Sequence, residues 1–147
     1  MIGSVAGAAV GGAVALITQL INQRAETRRR RDDINEARRA EILTQVISYL
    51  KLIEQAELIA VEKYDRGKGS ESLDLRAVET KEAIWVAQRM IELLCEQEVS
   101  VAAHNLSSVT DEIIKNGPSH GSVVLEIRPK RKEFIKKVRS QITHPEH

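Results

Sequence analysis

The chain has 147 residues, of which 42% are hydrophobic, 3% aromatic and 29% charged, and its 22 Lys/Arg against 21 Asp/Glu leave a formal net charge of +1. A balance this even excludes a domain dominated by nucleic-acid binding, which carries a strong basic excess. One Trp, one Phe and two Tyr exclude an aromatic core, and a single cysteine excludes an intramolecular disulfide.

From residue 1 to residue 23 no side chain is charged. Ile2 to Ile21 make a mostly apolar run of about 30 Å as a helix, the thickness of a bilayer's hydrocarbon core. Arg24, Arg28, Arg29, Arg30 and Arg31 follow it, and such a cluster holds its side of a membrane span in the cytoplasm. Residues 1–23 are therefore expected to be a single-pass anchor in the cell membrane, N-terminus outside and C-terminal domain cytoplasmic. A cleaved secretory signal has the opposite order, with its positive charge ahead of the apolar region. Gly3, Gly7, Gly11 and Ala15 recur every four residues, and Ser4, Ala8 and Gly12 form a second row beside them. Rows of small residues let membrane helices approach closely, so the anchor is expected to pair with itself or with a partner's membrane helix.

Residues 24–40 are highly charged and read as a basic juxtamembrane helical stalk. A helix over about 41–66 follows, with Leu43, Val46, Leu50, Ile53, Ala60 and Tyr64 in one stripe, broadened by Ile42, Ile47, Leu52, Ala56 and Ile59. A stripe this wide belongs to a bundle helix. Residues 66–72 contain Gly67, Lys68 and Gly69, but not the Gly-x-x-x-x-Gly-Lys-Ser/Thr spacing of a phosphate loop, and read as a hairpin turn. A second helix is predicted over about 73–116, capped by Ser72 or Asp74, a rod of about 60 Å. Its stripe runs through Val78, Ile84, Trp85, Ala87, Ile91, Leu94 and Cys95, then Ala102, Leu106, Val109 and Ile113. Cys95 reads as a small core residue. Asn116-Gly117-Pro118 ends the helix. Residues 123–127 read as an apolar clip. Pro129 suits the first turn of a third helix over about 129–142, with Phe134, Val138 and Ile142 facing inward. The fold class is all-α: a transmembrane helix, a long antiparallel coiled-coil-like hairpin and a short third helix, with residues 41–147 as the cytosolic bundle.

His104, His120, His144 and His147 show no metal-ligand spacing, and the Glu-x-x-His pair of di-iron bundles is missing. His104 reads as a partly buried polar residue rather than a base. No nucleophile stands beside a base in a turn that would hold it. The sequence implies no enzyme, no cofactor, no metal and no small-molecule substrate. Residues 128–139 carry seven Lys/Arg and one acid, while residues 67–127 carry five against ten. Arg131, Lys132, Lys136, Lys137 and Arg139 are thus candidate contacts to anionic lipid or to a partner. Pairing of this basic helix with the acidic second helix is the preferred expectation. Nucleic acid ranks third, because only Phe134 interleaves the basic residues.

The Gly/Ala-rich segment 3–21, the arginines 28–31 and the run Lys132-Glu133-Phe134-Ile135 carry a resemblance that spans most of the chain. Their layout resembles that of small bacterial membrane-anchored helical-hairpin proteins, frequent among actinomycetes. The resemblance implies a membrane anchor and nothing about activity. Three functions follow from the sequence: a self-associating membrane-anchored interaction or scaffold protein, an oligomeric membrane-perturbing or pore-forming protein, and a soluble coiled-coil assembly with a buried N-terminal helix.

Overall fold

The computed structural model describes the backbone of residues 2–143 and the side chains of residues 18–143. All regular structure among them is helical: α1 (Ile2–Ala60), a π-helical turn (Val61–Asp65), α2 (Glu71–Leu94), α3 (Gln97–Asn116) and α4 (Val123–Thr143). The chain forms two units, Met1–Ala40 and Glu41–His147.

In the first unit every described side chain, from Thr18 to Ala40, is exposed, including Leu20, Ile21 and Ile34. Among the described residues no helix is long and apolar enough to cross a membrane. The side chains of residues 1–17, and with them most of the expected anchor, lie outside the described residues.

The second unit is a helical bundle. Its α1 segment buries Ile42, Val46, Tyr49, Ile53, Ala56 and Ala60, an alternation of four- and three-residue steps along one face. The stripe read from sequence is shifted by a fraction of a turn. Leu43 and Ile47 are exposed, because Tyr49 takes the inward position that their stripe left unused. The α-helix then widens into the π-turn, closed by Arg66 N–H on the Val61 carbonyl at 3.0 Å. Tyr64 thereby reaches α3, its hydroxyl donating at 2.9 Å toward the Ile114 and Lys115 carbonyls. These are end-of-helix acceptors that α3 itself cannot satisfy.

α2 starts earlier than expected, because Ser70 caps it: its Oγ accepts from Leu73 N–H at 3.2 Å. The 60 Å rod expected over 73–116 is two helices. At Cys95 and Glu96 the backbone is extended (ψ 163° and 162°), and α3 folds back on α2. The ion pair Lys81–Asp111 at 2.7 Å and the contact of Gln88 with His104 at 3.4 Å fix the antiparallel register. Neither Gly nor Pro marks the elbow, and the apolar spacing runs through it. What closes it is distant in sequence: Gln141 of α4 accepts the Glu96 N–H at 2.9 Å. Ile91 and Val99, one on each side, become fully buried by the reversal. Cys95, at the end of α2, is only half-buried. Val78 and Trp85, assigned inward by a single long helix, are exposed.

α3 ends at Gly117, as the sequence indicates. Its φ of 80° and ψ of 174° lie in a region open essentially to glycine alone. α4 begins six residues before Pro129, capped by Ser122 Oγ on Leu125 N–H at 3.3 Å. The expected clip is its first turn, with Val123 and Ile127 buried. Pro129 sits inside the helix on its exposed side. Phe134 and Val138 point inward as expected. Phe134 meets Tyr49 edge-on at 5.2 Å.

A Cβ at Gly117 would stand 3.0 Å from the Tyr64 ring, whereas one at Gly69 meets nothing within 4 Å. Gly117→Ala should lower unfolding stability by about 2 kcal/mol through backbone strain. Gly69→Ala should change it by no more than about 0.5 kcal/mol. Urea denaturation followed by circular dichroism measures both.

Candidate anion-binding face

α4 is held to the bundle by its apolar side, so its opposite side is left to solvent. Arg128, Lys132, Lys136 and Arg139 follow one another in steps of four, four and three and are all exposed. These steps place them in one stripe, about 16 Å long at 1.5 Å per residue. None of the four has a carboxylate within ion-pair distance among the described residues. Exposed Leu125 opens the stripe and exposed Thr143 closes it.

The five cations singled out from sequence therefore divide. Arg131 pairs with Glu57 of α1 at 2.7 Å, and that carboxylate is only 12% exposed. Lys137 lies 3.6 Å from Glu98 of α3 and 3.8 Å from Glu133 of its own helix. These two fasten α4 to its neighbours. Lys132, Lys136 and Arg139 face outward. The expected pairing with the second helix is realised only with its α3 half and with α1; no carboxylate of α2 takes part. Arg128 completes the stripe and was missed as a site residue. Its four-residue spacing from Lys132, once Phe134 and Val138 are fixed inward, is the signal that reveals it.

The arginines at 24 and 28–31 are exposed along α1. Gly3, Ser4, Gly7, Ala8, Gly11, Gly12 and Ala15 lie outside the described side chains, as do His144 and His147.

A groove of about 220 Å³ between α2 and α3 is lined by Lys81, Trp85, Gln88, Arg89, His104 and Asp111, among others. His104 is exposed on its rim rather than partly buried. Gln88 donates to Glu92 at 3.0 Å and Arg89 at 2.7 Å, and the two hold the Glu92 carboxyl below the usual carboxylate range. Asp111 beside it holds the Lys81 ammonium above its ordinary value. Ser107, at the groove floor, is engaged with the Tyr49 hydroxyl at 2.7 Å. The groove thus brings two cations, the Asp111 carboxylate, an indole, an imidazole, the Gln88 amide and two serine hydroxyls together. No cluster of His, Cys, Asp and Glu among the described residues is arranged to hold a metal ion.

Comparison with protein-family models, with curated proteins and with solved structures finds no match.

The division of the α4 cations has a thermodynamic signature. Arg131→Gln leaves Glu57 covered without its partner and should cost about 2 kcal/mol, below the roughly 3–5 kcal/mol of a fully buried pair because the Arg131 side chain is 28% exposed. Lys132→Gln removes only a solvated charge and should stay within about 0.5 kcal/mol. Thermal unfolding of the two variants beside the parent protein distinguishes them.

Proposed function

We propose that this chain is a membrane-tethered helical interaction module, with residues 1–23 as a single-pass anchor, N-terminus outside, and the stripe of α4 as a docking face for anionic lipid headgroups. The observation that carries the reading is that stripe: four exposed cations on one helix face, none of them ion-paired among the described residues. Unpaired Lys/Arg at a negatively charged membrane surface contribute about 1 kcal/mol each. The aromatic ring of α4 is buried, which leaves no platform for stacking bases and favours lipid over single-stranded nucleic acid. The charge-free run before Arg24 supports the tether, as does the likeness of layout to small anchored hairpin proteins of bacteria.

Carbonate extraction tests the tether. The full chain should remain with membranes until detergent is added, and a chain beginning at Arg24 should be released; release of both removes the anchor. The docking face is tested with an environment-sensitive dye at Thr143→Cys in a Cys95→Ser background, the full chain being reconstituted into vesicles. Emission should shift with phosphatidylglycerol present and not with phosphatidylcholine alone, and about 0.5 M salt should reverse the shift by screening. Replacing Lys132, Lys136 and Arg139 with Gln should weaken the docking by roughly 100-fold, at about 1 kcal/mol per charge. A shift caused by an oligonucleotide and not by anionic vesicles would transfer the face to nucleic acid.

A further inference from the structure

The outward side of α2 carries more apolar surface than a solvent-facing helix needs. Leu75, Val78, Trp85, Val86 and Leu93 are all exposed, and Leu93, at 79%, is the most exposed large hydrophobic residue among those described. These are not scattered. Leu75, Val86 and Leu93 share one exposed line with Glu79, Glu82 and Arg89, in steps of four, three, four, three and four, the spacing of a coiled-coil seam with half of its positions charged. Val78 and Trp85 flank it.

We infer that a second copy of this chain docks on this seam, α2 against α2 and antiparallel. The occupant follows from the charges and their spacing. The seam's spacing reads the same in both directions, so a two-fold axis at its middle superposes it on itself. Leu75 then faces Leu93 of the second copy, Glu79 faces Arg89, and Glu82 faces Val86, each pairing occurring twice. Arg89 also arrives one turn from Glu82 of the other chain. In a parallel pair the same residues would set Glu79 on Glu79, Glu82 on Glu82 and Arg89 on Arg89, and such like-charge layers oppose association. Arg89 stands between the seam and the α2–α3 groove, its guanidinium 5.0 Å from the Trp85 ring and 2.7 Å from Glu92. A shallow hollow beside Leu75 and Val78 lies where Leu93 of the second copy would arrive. The contact is about 27 Å long, 18 residues at 1.5 Å each.

This association rests on α2 alone and is separate from the anchor and from the α4 face. It is tested on the full chain in detergent, with Cys95→Ser throughout. On mild oxidation, Leu75→Cys and Leu93→Cys in one chain should give a covalent dimer. Each variant alone should give none, and a mixture of the two single variants should give a heterodimer. Covalent dimer from a single variant alone overturns the antiparallel register, and no crosslink in the double variant overturns the seam. Arg89→Glu should reduce the crosslinking yield roughly tenfold through like-charge repulsion. Adding Glu79→Arg to it should restore the yield; equal yields in all three chains would show that these charges do not choose the partner. The α2 variants should leave the lipid-dependent dye shift at residue 143 unchanged, so the two readings fail separately.

Discussion

The Tyr49 side chain is where three helices of the bundle are made to agree. Its hydroxyl donates to the Ala103 carbonyl at 2.7 Å and takes the Ser107 hydroxyl as its second partner at 2.7 Å, while its ring meets Phe134 of α4 edge-on. Burial pushes the phenol's ionisation well above its ordinary range, so the group stays a neutral donor. Donating from a buried hydroxyl leaves little freedom in rotation or translation of α1 against α3, since a missed hydrogen bond would strand a polar atom in the core. The edge-on ring pair then fixes α4 on the same layer. With only four aromatic residues in the chain, two of them are spent at one point.

Much of the rest is a consequence of that registration. With Phe134 inward, Arg131 falls beside Glu57 and Lys137 beside Glu98, while the residues half a turn away are turned out. With Tyr49 on Ala103, Tyr64 arrives over the end of α3 through one π-turn and occupies the space that only a glycine at 117 leaves open. The bundle thus settles which charges neutralise one another and which are left exposed. Sequence position by itself does not distinguish Lys137 from Lys136.

The legible parts of the fold were those written in local chemistry. Gly117 before Pro118 stops a helix by backbone geometry alone, and Phe134 and Val138 lie four apart in a helix otherwise rich in charge. The elbow at residues 95–96 is of another kind. Residues 91, 94, 95, 99 and 102 keep helical spacing straight through it, and no local residue prefers a bend. Its stabilisation comes from Gln141, 45 residues away, and from burial that exists only after the chain has turned. Pro129 misled for a related reason: the residue suits a first turn, but Ser122 supplies a stronger start upstream. In the basic helix the residue types were visible early. The side of α4 that the core claims is readable from Phe134 and Val138, but which cations are neutralised depends on Glu57 and Glu98, acids far away in sequence that only the folded bundle brings near.

The closure of the elbow by α4 has a consequence for the order of events in a cell. The exposed amide at the junction of α2 and α3 has only water as its acceptor until residue 141 has been made. Synthesis proceeds at roughly 5–20 residues per second, so the nascent hairpin waits for seconds with its turn incomplete. The last protein contact at the elbow is therefore made only once α4 has been synthesised and has docked on α3, which ties completion of the turn to the arrival of that helix.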